Sequence, residues 1–185
     1  MKRFVGIVLL LVLFAGCSDK NEELERAMEL RAKLIAEKIS FDAQITADYG
    51  DVSYSFGMQC QIDTEGNLSF SVTEPETIAG ITGTVSGSGG KLTFENTALA
   101  FDLMADRQIT PVSAPWVLAK ALRSGYLTSC CMEEERLRIS VDDSYEEDAL
   151  HLEVWLDGQD LPKMAEIYWQ GRRLLTVAVS NFTVG

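Results

Sequence analysis

Phe41-Asp42-Ala43-Gln44-Ile45-Thr46-Ala47-Asp48-Tyr49-Gly50-Asp51-Val52-Ser53-Tyr54-Ser55-Phe56-Gly57-Met58-Gln59-Cys60-Gln61-Ile62 reads with a period of two. Phe41, Ala43, Ile45, Ala47 and Tyr49 alternate with polar residues up to Gly50-Asp51. Val52, Tyr54, Phe56, Met58, Cys60 and Ile62 then alternate with small or polar ones. Successive side chains of a strand point to opposite faces, so this pattern predicts two antiparallel strands, each with one wet face. A second turn at Thr64-Glu65-Gly66-Asn67 leads to Leu68, Phe70 and Val72, a third strand that Pro75 ends.

Beyond Pro75, Ile78 to Val85, the turn Ser86-Gly87-Ser88-Gly89-Gly90 and Leu92 to Glu95 predict a hairpin, and Ala98 to Met104 one more strand. Residues 111–125 break the alternation. Pro115-Trp116-Val117-Leu118-Ala119-Lys120-Ala121-Leu122 reads as a short apolar helix with proline in its first turn and Gly125 at its end. Strands resume at Leu137-Ile139-Val141, Leu150 to Leu156, 166–170 and 173–183, with an acidic turn at 142–148. Upstream, Leu24, Met28, Ala32, Ile35 and Ile39 form one apolar stripe on a helix over residues 21–39. Asp19 with Glu22 is a capping box, and Glu22–Arg26 and Glu29–Lys33 are i,i+4 pairs. There is no repeat and no linker, so the expectation is one α+β domain around a single antiparallel sheet.

The start of the chain is of another kind. Lys2 and Arg3 precede eleven apolar residues, Phe4 to Phe14, and then Ala15-Gly16-Cys17. The run is too short to span a bilayer, and small residues before a cut site mark export. Ending on cysteine, the segment resembles a bacterial lipoprotein signal with Leu13-Phe14-Ala15-Gly16-Cys17 as lipobox. That resemblance implies residues 1–16 as a cleaved signal, Cys17 as the lipidated residue, 17–21 as its tether and 22–185 as the folded domain. The protein would then sit on the extracytoplasmic face of a cell membrane. An exported chain can form disulfides. Of Cys60, Cys130 and Cys131, the two adjacent ones would face opposite ways on a strand, so Cys60 can pair with Cys130 or with Cys131 but not both. The alternative is a buried apolar thiol at Cys60.

Three features stand out along the chain: the N-terminal helix leading into Ile45-Thr46-Ala47-Asp48-Tyr49-Gly50, the Pro75-to-Ile81 hairpin and the proline-flanked helix 111–125. The end of the chain adds Trp155-Leu156-Asp157, Leu161-Pro162, Gly171-Arg172-Arg173 and Asn181-Phe182. Together they resemble the bacterial lipoprotein carriers and receptors of the LolA/LolB-like fold, above all anchored relatives in spore-forming Gram-positive bacteria. The resemblance implies a curved sheet, a half-barrel, with the N-terminal helix and the short helical insert covering its concave face. It also implies a lipid or acylated partner in an apolar concavity. The soluble carriers are unlipidated and close their lid with an arginine on an early strand. Here Phe41 to Val72 contains neither arginine nor lysine. An anchored binder fits this better than a shuttle. Among the spore-former relatives is a partner of a cell-wall amidase, which gives the alternative expectation of a non-catalytic adaptor for an envelope protein.

Net charge is −12, which repels phosphates and excludes nucleic acid as a natural partner. A single histidine, His151, excludes every site that needs two. It alternates with Leu150 and Leu152 onto the wet face with Glu153 and Trp155. Lys91 after the glycine turn is followed by Leu92 rather than Ser or Thr, so this is not a phosphate loop. Asp63, Glu65 and Asn67 imitate a calcium loop, but Gly66 falls at the fourth position instead of the sixth. No catalytic residue, metal site or cofactor is therefore expected. The apolar residues Tyr54, Phe56, Met58, Phe70, Phe94, Leu103, Trp116 and Leu118 are the candidates for lining a cavity.

Overall fold

A computed structural model describes residues 19–95, 97–105 and 108–185. The signal and Cys17 lie outside the described residues. Helix α1 (Asp19–Ala36) leads into a meander of β1 (Ile39–Asp48), β2 (Ser53–Ile62), β3 (Leu68–Glu74), β4 (Thr82–Ser86), β5 (Gly89–Phe94) and β6 (Thr97–Phe101). Two short strands, β7 (Met104–Ala105) and β8 (Gln108–Ile109), pair with each other, and one 3-10 turn at Pro111–Ser113 opens helix α2 (Ala114–Ser124). A second meander follows: β9 (Tyr126–Glu133), β10 (Arg136–Asp142), β11 (Leu150–Leu156), β12 (Pro162–Trp169) and β13 (Arg172–Val184).

The two meanders share one open antiparallel sheet of eleven strands, ordered β6-β5-β4-β3-β2-β1-β13-β12-β11-β10-β9. They meet in its middle, where Ile39 stands opposite Val184 and Ala47 opposite Leu175. Register shifts at Ser40/Asp42, Gly57/Met58, Ser140/Val141 and Ile167/Tyr168 are bulges of the kind that bend and twist a sheet. The sheet is curved but unclosed. Alternation holds as expected: on β1 Ile39, Phe41, Ala43, Ile45 and Ala47 are buried, and on β11 Leu150, Leu152, Val154 and Leu156. These side chains and their counterparts on β2, β3, β10, β12 and β13 form one core with the two helices.

Several local expectations shift. Residues 75–81 form a turn rather than the start of a strand, with the Ile78 amide on the Pro75 carbonyl (3.0 Å) and the Gly80 amide on that of Val72 (2.9 Å). The strand expected at Ala98 to Met104 is divided between β6 and β7. On α1 the buried residues are Ala27, Leu30 and Leu34, whereas Leu24, Met28 and Ile35 of the expected stripe are 45%, 47% and 52% exposed. The helix is rotated because Arg31 turns inward to α2, with its Nε on the Leu122 carbonyl at 2.8 Å. Arg26 is not hydrogen-bonded to Glu22 as an i,i+4 pair; its Nε donates to Asp160 at 3.0 Å, on the β11–β12 turn. The Asp19 side chain lies outside the described residues.

Candidate functional site: a cavity beside the second helix

Helix α2 is apolar almost all round, with Trp116, Val117, Leu118, Ala119, Ala121 and Leu122 buried. Such a helix must be covered on several sides. Its partners are the sheet, α1 and the segment between β6 and α2. Between them lies a cavity of about 660 Å³, lined by Ile35, Ile62, Leu103, Ile109, Trp116, Val117, Ala119 and Leu150 with the polar rim of Thr64 to Asn67, Gly87, Lys120, Arg123, Ser124 and Asp143. Antiparallel order puts the β2–β3 and β4–β5 turns at one end of the strands and the β10–β11 turn at the other. The cavity touches all three, so it crosses the sheet under α2.

Side chains of the helices and of β1 hold the walls. Arg123 donates to three carbonyls: Nε to Leu34 (2.6 Å), Nη1 to Asp63 (2.8 Å) and Nη2 to Glu37 (3.0 Å). Arg31 reaches the other way, to the carbonyls of Leu122 (2.8 Å) and Ala121 (3.4 Å). The last carbonyls of a helix lack intrahelical donors and carry the negative end of its dipole, so each helix supplies an arginine that caps the other. Burial pulls both guanidinium pKa values down. Trp116 Nε1 donates to the Gly66 carbonyl (2.9 Å), pinning α2 to the β2–β3 turn. Tyr49 Oη donates to the Ile109 carbonyl (3.3 Å), and Thr110 ties back to Leu103 and Asp102 (3.0 and 2.8 Å), which fixes the segment that brings Leu103 and Ile109 to the wall.

The rim is of mixed charge. Lys120 Nζ lies 5.3 Å from the centroid of the Trp116 ring, a cation–π contact that keeps an ammonium at the edge. The Asp143 carboxylate accepts from the Leu150 amide at 2.8 Å. An amphiphile with its chain inside could set a polar head against Lys120. Among the described residues, no group of three or more His, Cys, Asp or Glu side chains is placed to hold a metal ion.

Of the eight residues singled out from the sequence, Leu103 and Trp116 line this cavity. Phe56, Met58, Phe70 and Leu118 are closely packed core, and Tyr54 and Phe94 are 56% and 45% exposed. Ile35, Ile62, Ile109, Val117 and Leu150, with Lys120 and Arg123, went unmarked. They come from five separate stretches of chain, and no local period brings such residues together. The bridge from Cys60 to Cys130 or Cys131 is not formed. All three are free thiols, and Cys60 on β2 is six strands in sheet order from β9. Burial pushes the Cys60 thiol pKa up, as for an apolar core group.

His151 faces outward, as expected, but it is paired. Its Nδ1 is 2.7 Å from Asp142 and its Nε2 2.9 Å from Glu153, whose other oxygen accepts from Ser140 Oγ at 2.9 Å. Arg138 lies between Glu133 and Glu153 at 3.4 and 3.6 Å. This network covers the outer face of β9–β11 and does not line the cavity. Asp63 accepts from the backbone and side chain of Asn67 (2.8 and 3.0 Å), so the calcium-like stretch is a hydrogen-bonded turn.

No protein-family model matches the chain, and no curated protein matches it. Several solved structures resemble it in outline. A LolA superfamily protein from Nitrosomonas europaea aligns over 91% of this chain and 94% of its own, at 12% identity and a TM-score of 0.46. The Mycobacterium tuberculosis lipoprotein LppX aligns over 89% and 96%, at 13% identity and 0.43. The Pseudomonas aeruginosa MucA/MucB complex structure aligns over 91% of this chain and 58% of its own, at 14% identity and 0.41.

Proposed function

We propose that this protein is a membrane-anchored envelope lipoprotein, held through an acylated Cys17, that takes a lipid or the acyl group of a partner into the cavity beside α2. The observation that carries the reading is the cavity itself. About 660 Å³ of largely apolar space is within the usual range for small-molecule sites. Each methylene moved into it from water contributes roughly 0.8 kcal/mol. Polar groups gather at the rim and apolar ones inside, the distribution an amphiphile needs.

Native mass spectrometry of the chain from Ser18 onward, purified without detergent, tests this. The expected result is added mass in the lipid range that disappears on denaturation and is lost in Leu103→Trp, where the larger side chain occupies the space. A clean apo mass after exposure to a lipid extract would overturn the cargo reading. The adaptor reading would then lead. It has one observation of its own: β6, an edge strand of the open sheet, is Thr97-Ala98-Leu99-Ala100-Phe101, uncharged and with Leu99 63% exposed. Such an edge offers unpaired backbone groups to another protein.

A further inference from the structure

The stripe on α1 is unpartnered, and it is not randomly placed. At 100° per residue Leu24, Met28 and Ile35 fall within about 40° of arc and run about 16 Å along the helix. All three are roughly half exposed, on the flank next to the buried Ala27, Leu30 and Leu34. Arg31 falls about 20° outside that arc, toward the buried flank, and its guanidinium is turned onto the C-terminal carbonyls of α2. Glu25, Glu29 and Lys33 project from the other flank. At the end of the stripe, Ile35 lines the cavity.

The chain outside α1 supplies the occupant. Helix α1 starts at Asp19, two residues after Cys17. Two residues span at most about 7 Å. With a lipid on Cys17, the first turn of α1 therefore lies against the headgroups, and a helix lying along that surface presents one of its flanks to them. Only the Leu24–Met28–Ile35 flank is apolar.

We propose that α1 lies along the bilayer surface on this stripe, with Leu24, Met28 and Ile35 immersed at the boundary of headgroups and acyl chains. This rests on the anchoring reading given above. It makes the anchor a positioning device as well as a tether: Ile35, which lines the cavity, would lie at the membrane surface, so a lipid would enter from that side without crossing water. The favoured surface is zwitterionic, because a chain of net charge −12 is repelled by anionic lipid.

The test uses the acylated protein in phosphatidylcholine vesicles carrying bromine on their acyl chains, a short-range quencher of tryptophan. Leu24→Trp, Met28→Trp and Ile35→Trp are compared with the parent and with Glu29→Trp on the other flank, each checked for parental circular dichroism. Quenching of most of the added emission at 24, 28 and 35, and none at 29, is the expected result. Vesicle-bound protein with equal or no quenching at the four positions overturns the orientation while leaving the anchor intact; a stripe covered by another protein would give that outcome. Intact mass without diacylglycerol on Cys17, with protein that does not float with vesicles, overturns the anchor and the orientation together.

Discussion

Arg123 joins more of this molecule than any other single side chain. It reaches the last turn of α1, the chain just beyond it and the end of β2 through three carbonyls at 2.6 to 3.0 Å. Lysine keeps the charge but not the fork. Arg123→Lys should lose about 2 kcal/mol, since hydrogen bonds to charged groups are worth about 1.5–3 kcal/mol and the part-buried carbonyls of Leu34 and Asp63 would not both be paired. In thermal unfolding that is roughly 4–8 °C. An unchanged Tm would show that water replaces the fork without loss. His151 makes a pH-dependent contribution. Burial lowers the imidazole pKa, but the hydrogen bonds it donates to Asp142 and Glu153 outweigh it and hold the pKa above the ordinary value. A raised folded pKa stabilises fully below the unfolded value, about 6.5, and that contribution is lost as pH rises through the folded one. Hence His151→Gln should lower Tm more at about pH 5.5 than at about pH 8.5. The pair is partly exposed and solvent-screened, so the difference should stay within about 1 kcal/mol. Equal losses at both pH values would contradict the pairing.

At the scale of elements, what was legible followed from local periodicity. The β1–β2–β3 meander, α2 and β11 could be read from alternation, a proline in the first turn and turn glycines. β9 could not: Tyr126-Leu127-Thr128-Ser129-Cys130-Cys131-Met132-Glu133 has no clean alternation, and its place at the sheet edge leaves most of it half-covered or exposed. The apolar stripe of α1 was legible but its role was not, because a helix with apolar residues over two adjoining flanks does not reveal which flank meets the core. Gly125 teaches a related lesson. It ends α2 as its sequence position suggests, yet at φ −70° its backbone suits any residue. What requires glycine is space, since a Cβ there would stand 2.4 Å from Val141 Cγ1 and 2.7 Å from the Ala121 carbonyl oxygen. Gly125→Ala should therefore destabilise by about 1–3 kcal/mol in urea unfolding. Gly158→Ala, which would meet nothing within 4 Å, should not. Similar midpoints for the two would mean that β10 yields readily at Val141.

For the molecule as a whole, the fold class could be read while the site could not. The helices and most of the strands follow from periods of 3.6 and two, but the cavity is assembled where α1, α2, two turns at one end of the sheet and one at the other converge. The large aromatic residues that draw attention in the sequence divide between the core and the surface, and only Trp116 among them reaches the wall. The wall is made of medium-sized aliphatic side chains at element ends, chosen by topology rather than by type.

The sheet's central joint, β1 against β13, also sets the order of assembly. Ser40 and Thr183, whose hydroxyls meet at 2.7 Å, are 143 residues apart, and β13 is synthesised after all the other strands of this sheet. Each meander consists of local hairpins that close quickly; their union is a long-range pairing and so the slow step. Until it occurs, β1 is a bare edge at what will become the centre of the protein. A chain cut short near its end would lose not a fringe but its keystone, and the two half-sheets would have no means of joining.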